Sequence, residues 1–134
     1  MHQILQPEGW PRPKGYANGI AATGTTVYTA GVVGWNEEEE FVAKDLIGQL
    51  RQALLNTVAI LDEADATPEH IVRMTWYITD KDEYTENLAE IGKAWRDVLG
   101  KVFPCMACVQ VIALVEDDAK IEIETTAVIP NERN

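Results

Sequence analysis

Serine is absent from the 134-residue sequence, which excludes a Ser-His-Asp hydrolase. Histidine occurs only at His2 and His70, and neither has a partner at metal-ligand spacing, so no metal is expected. The glycine loops GxxxxGKS/T and GxGxxG are missing as well. Nucleotide cofactors therefore lose their usual phosphate cradle, and no cofactor is expected.

Cysteine is scarce too. Cys105 and Cys108 stand as C-x-x-C, a spacing that fits redox chemistry or half of a zinc site. Redox pairs of this kind sit at a helix N-terminus, which lowers the thiol pKa, whereas this pair runs into a β pattern where residues three apart face opposite ways. Structural thiols are the first reading. A ligand-cleft thiol at Cys108 is the second and a disulfide the third; without another cysteine pair, zinc is weaker still.

Positive charge is also in short supply, with 11 Lys and Arg against 22 Asp and Glu, a net charge of −11. The basic residues are scattered, so no cationic face is available to displace phosphate counterions, and nucleic acid is not an expected partner. The same acidity opposes docking on anionic lipid. No apolar run approaches the roughly 18 residues of a membrane span. The start, MHQILQPEGWPRPKG, lacks the basic then apolar pattern of a secretory signal, and a cytoplasmic location is expected.

What remains suits one globular unit: 46% hydrophobic and 25% charged residues, with no repeat, linker or composition break, so residues 1–134 are expected to form a single domain. Residues 6–19, with three prolines and three glycines, read as a loop. The runs IAAT and TVYTAG in residues 20–31 flank Gly24-Thr25 and predict a hairpin. The EEEE run at 37–40 reads as a solvated loop or helix entry, because consecutive carboxylates diverge too much for a metal site. Leu46, Ile47, Leu50, Leu54, Val58 and Leu61 recur at intervals of three and four, a helix with one buried face.

Residues 71–79, IVRMTWYIT, alternate. Val72, Met74, Trp76 and Ile78 fall on one side and Arg73, Thr75, Tyr77 and Thr79 on the other, as in a half-buried strand. Tyr84, Leu88, Ile91, Trp95 and Leu99 make the stripe of a second helix over residues 82–99, stopped by Gly100. Two more strand patterns, ACVQVIALV and KIEIETTAVI, flank the turn Glu116-Asp117-Asp118. The order is β-β-α-β-α-β-β, with residues 2–5 as a further candidate strand. An α+β fold with helices on one sheet face follows. The other face, assigned Thr75, Tyr77, Thr125 and several Val, Ile or Ala residues, is semi-polar and too apolar to be left wholly in water, which points to oligomerisation through the sheet.

The segment FPCMACVQVIALVEDDAKIEIETTAV closely resembles the signature of the RidA (YjgF/YER057c/UK114) family. Gly15-Tyr16, the TAG of residues 29–31, Asn56, IVRMTWYITD and Asn87 in YTENLAEI extend the likeness over nearly the whole chain. The resemblance implies a chorismate-mutase-like fold: a mixed six-stranded sheet with two helices on one face. It also implies a homotrimer with small-molecule clefts between subunits. Active members hydrolyse reactive enamines and imines to carbonyl compounds and ammonia without a cofactor. By motif position Glu122 matches the glutamate that orients water. Tyr16, Gly31, Asn87 and Cys108 match substrate-binding positions.

Met106 occupies the position of the family's carboxylate-binding arginine. Methionine neither donates hydrogen bonds nor neutralises charge, so small 2-imino acids should be poor substrates. Ala30, where many members have serine, and VVGWN after Gly31 are further departures. Trp35, and with it Trp10, are candidates to line a pocket for a larger or flatter ligand such as an aminomuconate, against plain packing as the alternative reading. Glu122 and Glu124 alternate with Ile121 and Ile123, which a solvated edge explains as well as catalysis does. Arg12, Lys14 and Arg73 are candidates to replace the missing cation, but nothing in the sequence locates any of them in the cleft. A diverged deaminase and a non-catalytic binding or regulatory trimer are both compatible with these residues. The ribonuclease and translation-inhibitor labels attached to the family gain little from so acidic a chain.

Overall fold

A computed structural model describes residues 2–131. Seven strands, three α-helices and a 3₁₀ turn follow the order β1 (Gln3–Leu5), β2 (Gly19–Ala21), β3 (Gly24–Tyr28), β4 (Val32–Val33), α1 (Leu46–Asp62), the turn Pro68–His70, β5 (Ile71–Ile78), α2 (Lys81–Thr85), α3 (Leu88–Leu99), β6 (Cys105–Gln110) and β7 (Ile121–Pro130). The fold is α+β, as expected. Five strands form a mixed sheet in the order β3-β7-β5-β6, with β4 also paired to β7. β5 runs parallel to β6 and antiparallel to β7.

The strand inventory departs from the sequence reading in one respect. In place of one six-stranded sheet there are the five-stranded sheet and a separate β1–β2 ribbon. The hairpin expected over residues 20–31 does not form: β2 pairs with β1, and β3 pairs with β7. Gly24 has φ +150°, and a side chain there would run into the backbone of Ile129. The glycine thus admits a close approach of β3 to β7 instead of closing a turn onto β2.

The core lies between the sheet and the helices. Leu46, Leu50, Leu54 and Leu61 of α1 are buried against Met74, Trp76 and Ile78 of β5 and Ile121 and Ile123 of β7. The apolar period of α1 thus buries the predicted face, with Ile47 and Val58 partly buried at its margin. On β5 a register shift between Ile71 and Arg73 interrupts the alternation. Ile71 is therefore buried and Val72 only half-buried, as a bulge requires.

Two further expectations are corrected. The second helix breaks at Glu86-Asn87 into α2 and α3. The Asp80 carboxylate caps α2 by accepting from the amides of Asp82 (3.0 Å) and Glu83 (3.1 Å). After the break Leu88 is 55% exposed and leaves the buried stripe to Ile91, Ala94 and Leu99. Thr125, assigned to the open face, is 2% exposed and belongs to the core side with Ile121, Ile123 and Ala127; Thr126 takes the other face.

Polar side chains tie these layers together. The buried Gln49 donates to the carbonyls of Ala43 (3.2 Å) and Asp118 (2.9 Å) and accepts from the Lys120 amide (2.7 Å). Glu83 accepts from the Leu46 amide (3.0 Å), satisfying an otherwise open donor at the start of α1, and pairs with Lys120 at 2.7 Å. Arg51 of α1 and Lys93 of α3 both meet Asp97, at 2.9 and 2.8 Å, and hold its carboxyl below the usual range. No helix among the described residues is long and apolar enough to cross a membrane.

Candidate functional site

The residues singled out from the sequence gather in two places. The first is built on β6, where Met106 and Cys108 point to the helix side beside Met74 and Trp76 of β5. Residues 12–17 reach this edge through a bend at Gly15, φ +81°. The Ala17 amide donates to the Pro104 carbonyl (3.0 Å), and Ala17 bridges to Cys105, which sets Tyr16 next to β6.

Tyr84 of α2 and Trp95 of α3 complete the wall. The Trp95 indole N–H donates to the Val102 carbonyl at 3.1 Å. Its ring meets Trp76 at 5.7 Å and an angle of 44°. Together Lys14, Gly15, Tyr16, Trp76, Tyr84, Trp95, Met106 and Cys108 enclose about 380 Å³, within the usual range for small-molecule sites. The indole N–H of Trp76 is buried there without an acceptor among the described residues.

Two protons are fixed by this environment. Although Cys108 is exposed as a residue, partial desolvation of its sulfur outweighs the Tyr84 hydroxyl that opposes it and moves the thiol above its ordinary value. Burial and then the neighbouring Cys108 do the same to the Tyr84 phenol. Both stay protonated near neutrality, so Cys108 is a weakly polar wall and not a ready nucleophile. Cys105, one residue before Met106, faces the opposite side of the sheet, and both cysteines are free. The described residues contain no metal-ligand cluster.

The second place lies around β4. Val33 pairs with Glu122 and Val32 with Ile123, and the Glu122 carboxylate packs against Gly31 so closely that a Cβ at residue 31 would collide with Oε2. On the same face Tyr77 lies opposite Glu122 and donates to Glu124. That hydrogen bond, ahead of desolvation and of the charges of Glu124 and Glu122, keeps the phenol protonated to unusually high pH. Gly31 also borders a groove of about 800 Å³ with Trp35 and Asn56. The Asn56 amide donates to the carbonyls of Val33 (3.1 Å) and Trp35 (2.7 Å), fixing the turn after β4. Trp35 leans on Phe41 at 5.6 Å.

Within one chain the two places do not meet. Glu122 and Met106 lie on opposite faces of the sheet with β5 between their strands, about 10 Å apart in strand spacing alone. Asn87 joins neither: its amide donates to the Glu83 carbonyl at 2.7 Å, holding the α2–α3 junction three residues beyond Tyr84. Trp10 is exposed and lines neither place. Arg73 sits opposite Cys105 on the open face, and Arg12 lines a neighbouring cavity with Ile4 and Phe103. Of the three candidate cations, Lys14 alone borders the pocket of Met106.

The sequence reading missed Trp76, Tyr84 and Trp95 as pocket residues because each also satisfied a packing pattern. The usable signal was the concentration of aromatic rings on the two elements flanking the β6 segment.

A family model described as Endoribonuclease L-PSP matches residues 11–129. This chain belongs to the RidA family. A "RutC family protein" of Haemophilus influenzae is 31% identical over 96% of the chain and 98% of that protein. A "2-iminobutanoate/2-iminopropanoate deaminase" of Salmonella typhimurium is 32% identical over 96% and 98%. Among solved structures, the Rid-family protein YyfB of Yersinia pestis, of unknown function, superposes with a TM-score of 0.84 at 30% identity, covering 96% of the chain and 98% of YyfB. TdcF of E. coli, solved with bound serine, reaches a TM-score of 0.67 at 30% identity over 95% and 98%. The RidA fold is therefore that of this chain, and some RidA relatives carry the name of imine deaminases.

Proposed function

We propose that this chain is a RidA-type enamine/imine deaminase, acting as a homotrimer on a substrate larger and flatter than the small 2-imino acids. The observation that carries the reading is the division of the motif residues. Tyr16, Met106 and Cys108 share one pocket, while Glu122 lies against Gly31 on the other side of the sheet. A complete site then needs a second copy, whose Glu122 and Gly31 face this chain's pocket. The semi-polar sheet face carrying Thr75, Tyr77 and Thr126 supports packing between copies.

The chemistry asks little of the protein. An iminium carbon is already electrophilic, so holding it beside one water is the main requirement. Glu122 takes a proton from that water as its oxygen bonds to the carbon. In the resulting carbinolamine the proton held by Glu122 passes to nitrogen; as the C–N bond breaks and the carbonyl forms, Glu122 takes the hydroxyl proton, which leaves with ammonia as ammonium. An enamine enters the same path after protonation of its β-carbon. Tyr16, Cys108 and the apolar Met106 line the ligand, with the second copy's Trp35 at its margin beside Gly31; Asn87 acts from behind, holding the α2–α3 junction that carries Tyr84 and Trp95.

The test is ammonia release from 2-aminoacrylate generated in place and, in parallel, from 2-aminomuconate. The native protein should turn over the larger substrate and leave the smaller largely untouched. Glu122→Gln should abolish turnover at unchanged oligomer size, and Met106→Arg should gain activity on the small imine. Met106 itself favours a second reading, a non-catalytic binding trimer. Saturable ligand stabilisation without ammonia from either compound would select it and overturn the deaminase.

A further inference from the structure

We infer that the β6 pocket selects a flat, conjugated monocarboxylate and that Lys14, reaching the pocket from the 12–17 loop, takes over the carboxylate-binding role vacated at Met106. The inference rests on the reading of this pocket as the ligand site, but not on any turnover there.

Three features argue for it. The first is the sign of the lining. Lys14 is its only charged side chain, and the phenols of Tyr16 and Tyr84 add hydroxyl donors. Within one chain no carboxylate lines the cavity, and the one that the proposed second copy brings is Glu122, on a protein of net charge −11. An anion approaching so acidic a molecule is repelled at long range, and a local cation gives it one place to settle.

The second is availability. The ion pairs of the described residues engage Arg51, Lys93 and Lys120, and Lys14 takes part in none of them. Among the described residues of one chain no carboxylate neutralises its ammonium, and the long stem lets the charge reach a carboxylate while the methylenes lie along apolar wall.

The third is shape. Tyr16, Tyr84 and Trp95 line the cavity together with Trp76, which is 2% exposed and packed on Trp95 at a 44° tilt, so the walls are largely aromatic. A planar conjugated body makes full contact with such walls where a branched aliphatic one does not. Lysine also differs from arginine in what it selects. A compact ammonium offers no two-pronged fork to orient a short acid, so orientation passes to the rings, and a ligand without a planar body loses it.

The test uses binding, with sorbate as the planar acid and sorbamide as its neutral counterpart. Tryptophan fluorescence reports binding through all four tryptophans, Trp76 and Trp95 of the pocket among them, and protection of Cys108 from N-ethylmaleimide locates the ligand in the pocket. Sorbate should bind the intact oligomer more tightly than sorbamide by roughly five- to tenfold, the scale of a partly exposed charge contact. Lys14→Gln should erase that preference while leaving sorbamide unchanged, and Lys14→Arg should keep it. Arg12→Gln, in the adjacent cavity, should alter neither affinity.

Equal binding of acid and amide, or a preference that survives Lys14→Gln, overturns the inference. So does failure of both probes to protect Cys108. Glu122-dependent ammonia release alongside any of these would leave the deaminase standing without Lys14. Lys14-dependent sorbate binding without turnover of any imine would do the reverse.

Discussion

Two glycines three residues apart separate a contact with the proposed water-activating glutamate from a packing contact. A Cβ on Gly34 would fall 2.7 Å from the Gln49 Cα and 2.8 Å from its carbonyl carbon, and helical backbone cannot yield cheaply. Gly34→Ala should cost about 1–3 kcal/mol by overpacking, read as a lower urea midpoint. A Cβ on Gly31 meets the end of the Glu122 side chain, which swings aside at little cost. Gly31→Ala should therefore unfold near the native midpoint yet lose roughly a hundredfold in deaminase turnover, the usual penalty for a group displaced by about an ångström. The Cys108 thiol, raised by partial desolvation of its sulfur, titrates later than an ordinary cysteine. Its alkylation by iodoacetamide, followed by peptide mass spectrometry, should be slower at neutral pH than that of a free cysteine and should accelerate as the pH rises. Tyr84→Phe removes the hydrogen bond that opposes the rise and should delay the acceleration further.

Secondary elements show why some of this architecture was legible in the sequence and some was not. The period of α1 and the alternation of β7 record which face is buried, and both faces came out nearly as read. Strand partners leave no such trace: β2 and β3 are neighbours along the chain, yet they pair with β1 and β7. The turn signal at Gly24 marked a close backbone approach instead. Gln49 was equally unreadable, since a glutamine inside an apolar helical face looks like an interruption until its three backbone partners are seen. Gln49→Leu leaves the Lys120 amide and the carbonyls of Ala43 and Asp118 without that side chain. The expected loss is about 1–3 kcal/mol, measured by chemical denaturation. Of the candidate site, the motif positions were legible, but their separation onto two sheet faces became visible only once the strand order was known.

At the scale of the whole molecule, apolar surface remains uncovered around the segment after β6. Ile112 is 102% and Val115 93% exposed, beside the exposed Val109 of the open sheet face. Surfaces of this kind are seldom left to water in a stable monomer. Ile112→Asp with Val115→Asp should shift the proposed trimer toward the 14.9 kDa protomer in light scattering. Ammonia release should fall in step if the proposed site is shared between two copies. The central position of β7 has a separate consequence for the order of folding. This strand pairs with β3, β4 and β5, so β3 and β4 have no partner in the sheet until it docks. Their edges stay open up to that point, and the five strands become one sheet only when β7 closes the gap between β3 and β5.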